Sequence, residues 1–263
     1  MTHPWRSYVA LGDSFTEGLE DRYPDGSMRG WADRLAQALA DRRGEEVRYA
    51  NLAIRGRLLG PILAEQLEPA LALRPDLVSL VGGGNDLLRP SADPDLMAAD
   101  IETAVARLRA AGIDVLLGTG VDTRDAGLLR MTRNKTAVYN TNLFTIARRQ
   151  GAHILNLWGL RSLHDWQVWA EDRLHLNELG HERVCQAALV GLGLTPDRAD
   201  WDEPLPPMAL LSRRERWESD VNWSRQHLLP WLGRRVRRIS SGADRVPKQA
   251  RYRVIAPAGA NAP

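Results

Sequence analysis

The sequence predicts an α/β fold, a parallel sheet carrying helices on both faces. Three observations lead there. Short apolar runs alternate with helical patterns from the N-terminus to about residue 194. That alternation is the signature of βαβ units, whose crossovers are right-handed. Glycine-containing turns follow the first three strand candidates, at the carboxyl ends where ligands sit in such sheets.

In order, the first strand candidate is Tyr8–Leu11, followed by the amphipathic stretch Trp31–Ala40. Val47–Leu52 and Leu77–Val81 are the next strands, separated by the helical Ile62–Leu73. Leu96–Leu108 leads to the strand Val115–Leu117, and Lys135–Arg149 to the strand His153–Leu157. In Lys135–Arg149, Tyr139, Leu143 and Ile146 recur at helical spacing and mark a buried stripe. A last helix, Glu182–Val190, follows the fifth strand. The expected sheet domain is therefore 1–194, with five strands. Beyond it, Thr195–Pro207 holds four prolines and four acids and reads as a linker or wrapping loop. Ser212-Arg213-Arg214-Glu215 has the pattern of a capping box. It opens a helix with Trp217, Val221, Ser224 and Leu228 on one face, stopped by Pro230. Four of the nine tryptophans lie between Trp201 and Trp231, too much apolar bulk to leave in water, so residues 195–238 are expected to dock on the body. Residues 239–263 read as a basic, disordered tail.

The chain has 263 residues and a formal charge of +2, and the charge is unevenly placed. Gly233–Pro263 carries eight basic residues and one acid, which leaves −5 on residues 1–232. Weak contact of that tail with an acidic surface is one expectation, and no recognised motif supports nucleic-acid binding. Cys185 is the single cysteine, which excludes an intrachain disulfide and fits a reducing compartment. No apolar run approaches the roughly 20 residues that span a bilayer. The first motif follows the first strand at once, leaving no room for a signal peptide. The expected localisation is cytoplasmic.

Four motifs carry chemistry: Gly12-Asp13-Ser14-Phe15-Thr16-Glu17-Gly18, Asn51-Leu52-Ala53-Ile54-Arg55-Gly56, Gly83-Gly84-Asn85-Asp86-Leu87 and Asp172-Arg173-Leu174-His175. Ser14 stands where a strand ends, flanked by glycines that permit tight turns. A serine hydroxyl attacks only when a base takes its proton. Thr16 replaces the second glycine of a G-x-S-x-G elbow, which argues against the α/β-hydrolase fold. Asp172 can reach back to one nitrogen of His175 and fix the tautomer whose other nitrogen faces the serine. His164 beside Asp165 is a rival pair without the flanking pattern, and His181 reads as structural. Acyl transfer builds charge on a carbonyl oxygen, and preorganised donors must meet it. Gly56 can offer a backbone N–H with no side chain in the way, and Asn85 a neutral amide. A phosphate-binding reading of Gly82-Gly83-Gly84 fails because no lysine follows within that helix and Asp86 would repel the ligand.

In order and spacing the four motifs resemble the SGNH hydrolases, also called the GDSL esterase family, over about Ser7 to Gly191. The resemblance implies a flavodoxin-like three-layer α/β/α sandwich and a site with neither metal nor cofactor. It implies Ser14 as nucleophile, His175 as base and Asp172 as its orienting carboxylate. It makes the backbone N–H of Ser14 the third oxyanion donor beside Gly56 and Asn85. It further implies a small-molecule acyl ester as substrate, with activity falling as the histidine takes up a proton. The extension after Leu194 departs from the family's small core.

Within Glu20–Trp31, the residues Tyr23, Arg29 and Trp31 are candidate walls of the substrate site; Arg29 could hold an anionic group or pair with Asp21 or Asp33. Two alternatives remain at this stage: a carbohydrate or natural-product O-deacetylase with the same triad, and a non-catalytic interaction protein using its basic, Trp-rich C-terminus. The histidines are scattered and Cys185 has no cysteine partner, so no metal site is expected.

Overall fold

The computed structural model describes residues 3–207, 223, 242 and 244–259. Five parallel strands form where the apolar runs predict them: β1 (Ser7–Gly12), β2 (Val47–Asn51), β3 (Leu77–Val81), β4 (Asp114–Gly118) and β5 (His153–Leu155). Ser14–Glu17 forms a one-turn helix, α1, directly after β1. Two longer helices follow, α2 (Trp31–Arg43) and α3 (Leu59–Leu73). A second one-turn helix, α4 (Gly84–Leu87), follows β3. The remaining helices are α5 (Pro94–Ala110), α6 (Arg133–Gln150) and α7 (Glu178–Gly191).

Side chains alternate across the pleat. Tyr8 and Ala10 of β1 join a core with α2 and α7, whereas Val9 and Leu11 join one with α3, α5 and α6. The sheet thus has helices on both faces, the SGNH hydrolase arrangement. Tyr8 is buried with its hydroxyl 2.7 Å from the Ser79 hydroxyl, so the polar end of a core ring is satisfied within the sheet.

Among the described residues the sheet has six strands, not five, in the order β5-β4-β3-β1-β2-β6. The extra strand, β6 (Gln249–Ile255), lies in the segment expected to be disordered. It runs antiparallel to β2, pairing Val47 with Ile255 and Arg48 with Val254, and the register is irregular between Tyr49 and Asn51. The expectation rested on a basic run with no visible partner, and the partner is far away in sequence. Buried Asp33 of α2 accepts from Lys248 Nζ at 2.6 Å and from Arg253 Nη2 at 3.0 Å. Tyr252 also donates to Leu73 O at 3.2 Å. These two basic residues are therefore committed inside the fold. The expected helix over 212–230 lies outside the described residues, apart from Trp223.

The strand order reverses at β1: β2 lies on one side and β3 on the other. Chain leaving β1 and β3 therefore opens a crevice at their carboxyl ends, the topological switch point where such sheets bind ligands. Ser14 and Asn85 are carried there.

Candidate active site

β1 ends at Gly12, and Asp13 caps the next turn by accepting the Phe15 N–H at 3.1 Å. That cap makes Ser14 the first residue of α1. Gly18 ends the turn at φ 88°; a Cβ there would lie 2.2 Å from Arg29 O, so only glycine fits.

The loop before α7 supplies the other two groups. Asn177 caps α7 through the Gly180 N–H at 3.0 Å. Just upstream, Asp172 Oδ1 accepts the N–H groups of Leu174 and His175 at 2.9 and 3.0 Å. Its Oδ2 lies 2.5 Å from His175 Nδ1. Arg173, between them, takes a left-handed φ of 55°, which folds the carboxylate back over the imidazole. Desolvation pushes the Asp172 carboxyl up, but the His175 hydrogen bond, its charge and the two backbone N–H groups outweigh it and hold Asp172 at about 2. An ionised Asp172 must accept, so Nδ1 carries the proton. The bare Nε2 then faces the Ser14 hydroxyl, 3.1 Å away, and accepts from it.

The structure brings the other motif residues to the same crevice. Gly56 sits at φ 71° in the turn after β2, and Asn85 lies on α4. Asn85 Nδ2 already donates to Asp13 Oδ2 at 3.1 Å and to Arg57 O at 3.0 Å. An oxyanion must therefore compete for one of its two protons. Burial pushes the Asp13 carboxyl up to about 6, against the Phe15 N–H bond and the nearby His175.

His181 is a structural histidine: its Nε2 donates to Leu19 O at 2.9 Å and its Nδ1 accepts the Trp31 N–H at 3.2 Å. Burial pushes it down to about 4, so it stays neutral. The rival pair does not form, because Asp165 accepts the Gln167 N–H at 2.8 Å while His164 lies 3.3 Å from Asp125.

The expected substrate wall is corrected at Trp31, and of the two alternatives for Arg29 the structure shows the pairing with Asp21. Trp31 is 0% exposed, with its ring against Phe15 and its backbone N–H bound to His181, and cannot touch a ligand. Arg29 is bound to buried Asp21 at 3.0 Å and to Glu178 at 2.7 Å, which leaves no free charge for an anionic substrate. Tyr23 accepts from Arg253 at 2.9 Å. The segment ties α2, α7 and β6 together. A cavity of about 120 Å³ lies elsewhere, against the turn between Asp172 and His175. Its apolar lining includes Val121, Leu129, Leu163, Trp166, Trp169 and Leu174.

Sequence reading missed three contributors. Glu17 grips Arg55 beside Gly56. Asn51 Nδ2 donates to Thr16 O at 2.8 Å. Trp223 donates its indole N–H to Asp172 O at 3.0 Å, and the Arg173 guanidinium lies 5.0 Å from its ring. Glu17 and Asn51 stand inside the motifs at 12–18 and 51–56, so their position in sequence marks them; nothing local marks Trp223. Among the described residues, no group of three or more His, Cys, Asp or Glu side chains is placed to hold a metal. No described helix is long and apolar enough to cross a membrane.

A serine-bearing turn thus stands at the switch point of a doubly covered parallel sheet, and the comparisons give the family. The chain belongs to the GDSL-like lipase/acylhydrolase family, whose model matches residues 10–183, and is a hydrolase acting on ester bonds. No curated protein sequence matches it. Among solved structures it is similar in fold to TesA, at 23% identity and a TM-score of 0.59, covering 71% of this chain and 97% of that one. The psychrotrophic esterase EstA from Pseudoalteromonas sp. matches at 19% identity and a TM-score of 0.57, with 72% and 97% covered. Axe2, an acetylxylan esterase from Geobacillus stearothermophilus, matches at 20% identity and a TM-score of 0.59, with 73% and 97% covered.

Proposed function

We propose that the protein is a serine esterase that hydrolyses short-chain acyl esters through Ser14, His175 and Asp172. The observation that carries this reading is the unbroken line from Ser14 Oγ to His175 Nε2, 3.1 Å, and from Nδ1 to Asp172 Oδ2, 2.5 Å. Nε2 takes the hydroxyl proton as Oγ attacks the ester carbonyl, and Asp172 stabilises the imidazolium while staying ionised. The N–H groups of Ser14 and Gly56 and one proton of the Asn85 amide meet the oxyanion. The imidazolium then protonates the departing alcohol, and water repeats the sequence on the acyl-enzyme, with Ser14 as leaving group.

The cavity beside the Asp172–His175 turn is the candidate acyl pocket. Its volume of about 120 Å³ is of the order of the engineered cavity of about 150 Å³ that binds benzene, which fits a short acyl chain. Rates on p-nitrophenyl acetate, butyrate and octanoate test this: acetate and butyrate should be fastest, and filling the cavity with Ala126→Phe should favour acetate further. Octanoate as the best substrate would contradict the short-chain reading.

A second reading, a carbohydrate O-deacetylase, draws support from the neighbouring indoles of Trp166 and Trp169, their ring centroids 6.4 Å apart, which both line the cavity. Aromatic faces suit a sugar ring, and Axe2 is named for acetylxylan. Acetylated xylooligosaccharide cleaved faster than p-nitrophenyl acetate at equal concentration would favour it.

A further inference from the structure

Glu17 and Arg55 form an ion pair for which the acyl-transfer cycle has no proton or charge to assign. Glu17 is the last residue of the helix that Ser14 begins, and Arg55 immediately precedes Gly56. Their side chains are only 9% and 19% exposed. Glu17 Oε2 accepts the backbone N–H of Arg55 at 2.7 Å. The same carboxylate takes Arg55 Nε at 3.0 and 3.1 Å, and Arg55 Nη2 bonds Oε1 as well. One carboxylate therefore holds both the main chain and the side chain of one residue.

A second tie runs parallel to it. Asn51 Nδ2 donates to Thr16 O at 2.8 Å, and Asn51 Oδ1 accepts the Ala53 N–H at 3.1 Å. The turn after β2 is thus fastened to α1 at both ends, by Asn51 near its start and by Arg55 before Gly56. Desolvation offsets much of the attraction in a largely buried ion pair, so stability is a weak reason for one here. What a multidentate pair does supply is a fixed geometry. Two donors from separate loops can meet one developing oxyanion only if their spacing is set before the reaction.

We propose that Glu17 is a positioning residue, which through Arg55 sets the Gly56 N–H against the Ser14 N–H so that both meet the same oxygen. The inference rests on the serine-esterase reading for its catalytic meaning and on the geometry alone for the spacing. Two readouts on the full chain separate them. The first is phosphonylation of Ser14 by a fluorophosphonate, followed by intact mass. Oγ attacks phosphorus, the O–P bond forms, P–F breaks, fluoride leaves and the hydroxyl proton passes to His175. Negative charge builds on the phosphoryl oxygen, which draws on the same donors. The second readout is the ¹⁵N–¹H shift of the Ser14 and Gly56 amides, which needs no reagent.

Glu17→Gln keeps an acceptor but removes the charge, and Arg55→Lys keeps a charge but removes the fork. Misplacing a reacting group by about 1 Å can cost on the order of 10²-fold, so each variant should label at least about tenfold more slowly per folded molecule. Both should move the Gly56 amide resonance and lower kcat on an ester more than they raise KM. Labelling at the wild-type rate by folded Glu17→Gln, with lowered thermal stability as its single effect, would overturn the proposal. A wild type that resists the reagent would count against the serine-esterase reading instead. The amide shifts then decide the inference, and unmoved Ser14 and Gly56 resonances in Glu17→Gln would overturn it.

Discussion

Replacing Asp33 with asparagine should loosen the C-terminal strand, at a cost that follows from the contacts. The Asp33 side chain is 3% exposed and accepts from Lys248 Nζ at 2.6 Å, Arg253 Nη2 at 3.0 Å and the Tyr49 hydroxyl at 3.1 Å. Burial pushes the Asp33 carboxyl up and the Lys248 ammonium down, and each opposes the other's shift. The substituted side chain would keep the shape and lose the charge, leaving two cations facing a neutral amide. Removing one partner of a buried pair costs about 3–5 kcal/mol. Arg253 is 36% exposed and can turn toward water, which places the expected loss near the lower end, about 3 kcal/mol. For a chain of this size that is roughly 6–12 °C in Tm. Urea unfolding followed by tryptophan fluorescence measures it. In a Lys248→Met background the same substitution should cost less, because one stranded cation is already gone. A loss below about 1 kcal/mol, the range of exposed pairs, would refute the view that β6 is locked by a buried charge cluster.

Three further outcomes are expected. Asn85→Ala should lower kcat on the order of 10²–10³-fold with KM little changed, provided the amide releases one proton from Asp13 or Arg57; an effect below about threefold would show that it never does. Trp223→Phe keeps a ring over Arg173 but removes the N–H bond to Asp172 O, and should cost about 1 kcal/mol in urea unfolding; no change would detach Trp223 from the Asp172–His175 turn. His181 stays neutral in the fold down to about 4, whereas in the unfolded chain it takes up a proton near the usual histidine value of 6.5. Unfolding therefore binds a proton between these values, and stability falls as pH drops through that window. The loss is about 3 kcal/mol by pH 4, and His181→Asn should flatten the slope between pH 7 and 4.5.

The parallel strands were legible because each is a short apolar run bounded by turn residues, and the long helices because their stripes repeat at helical spacing. The one-turn helices Ser14–Glu17 and Gly84–Leu87 are too short for any periodicity to show. β6 was hidden for another reason. Gln249–Ile255 does alternate, but one face carries Arg251 and Arg253, and the charge run suggested a solvated tail. The carboxylate that pairs with Arg253 is Asp33, far away in sequence. Of the candidate site, the residues brought together stand directly after strands or within one tight turn, where local sequence fixes position. Trp31 and Arg29 stand near Ser14 in sequence, but nearness in sequence does not place a side chain against a ligand. Folding turns the Trp31 ring inward and gives Arg29 to Asp21 and Glu178, contacts that depend on where α7 packs. Trp223 touches the Asp172–His175 turn from 51 residues downstream, and no local pattern encodes that reach.

The most direct test compares p-nitrophenyl butyrate hydrolysis by wild-type protein and by Ser14→Ala, both purified and shown folded by circular dichroism. If Ser14 is the nucleophile, removing Oγ leaves His175 with nothing to activate, and the rate should fall by at least about 10³-fold while the fold is unchanged. Hydrolysis by Ser14→Ala at a rate close to wild type would contradict the assignment of this crevice as the ester-cleaving site.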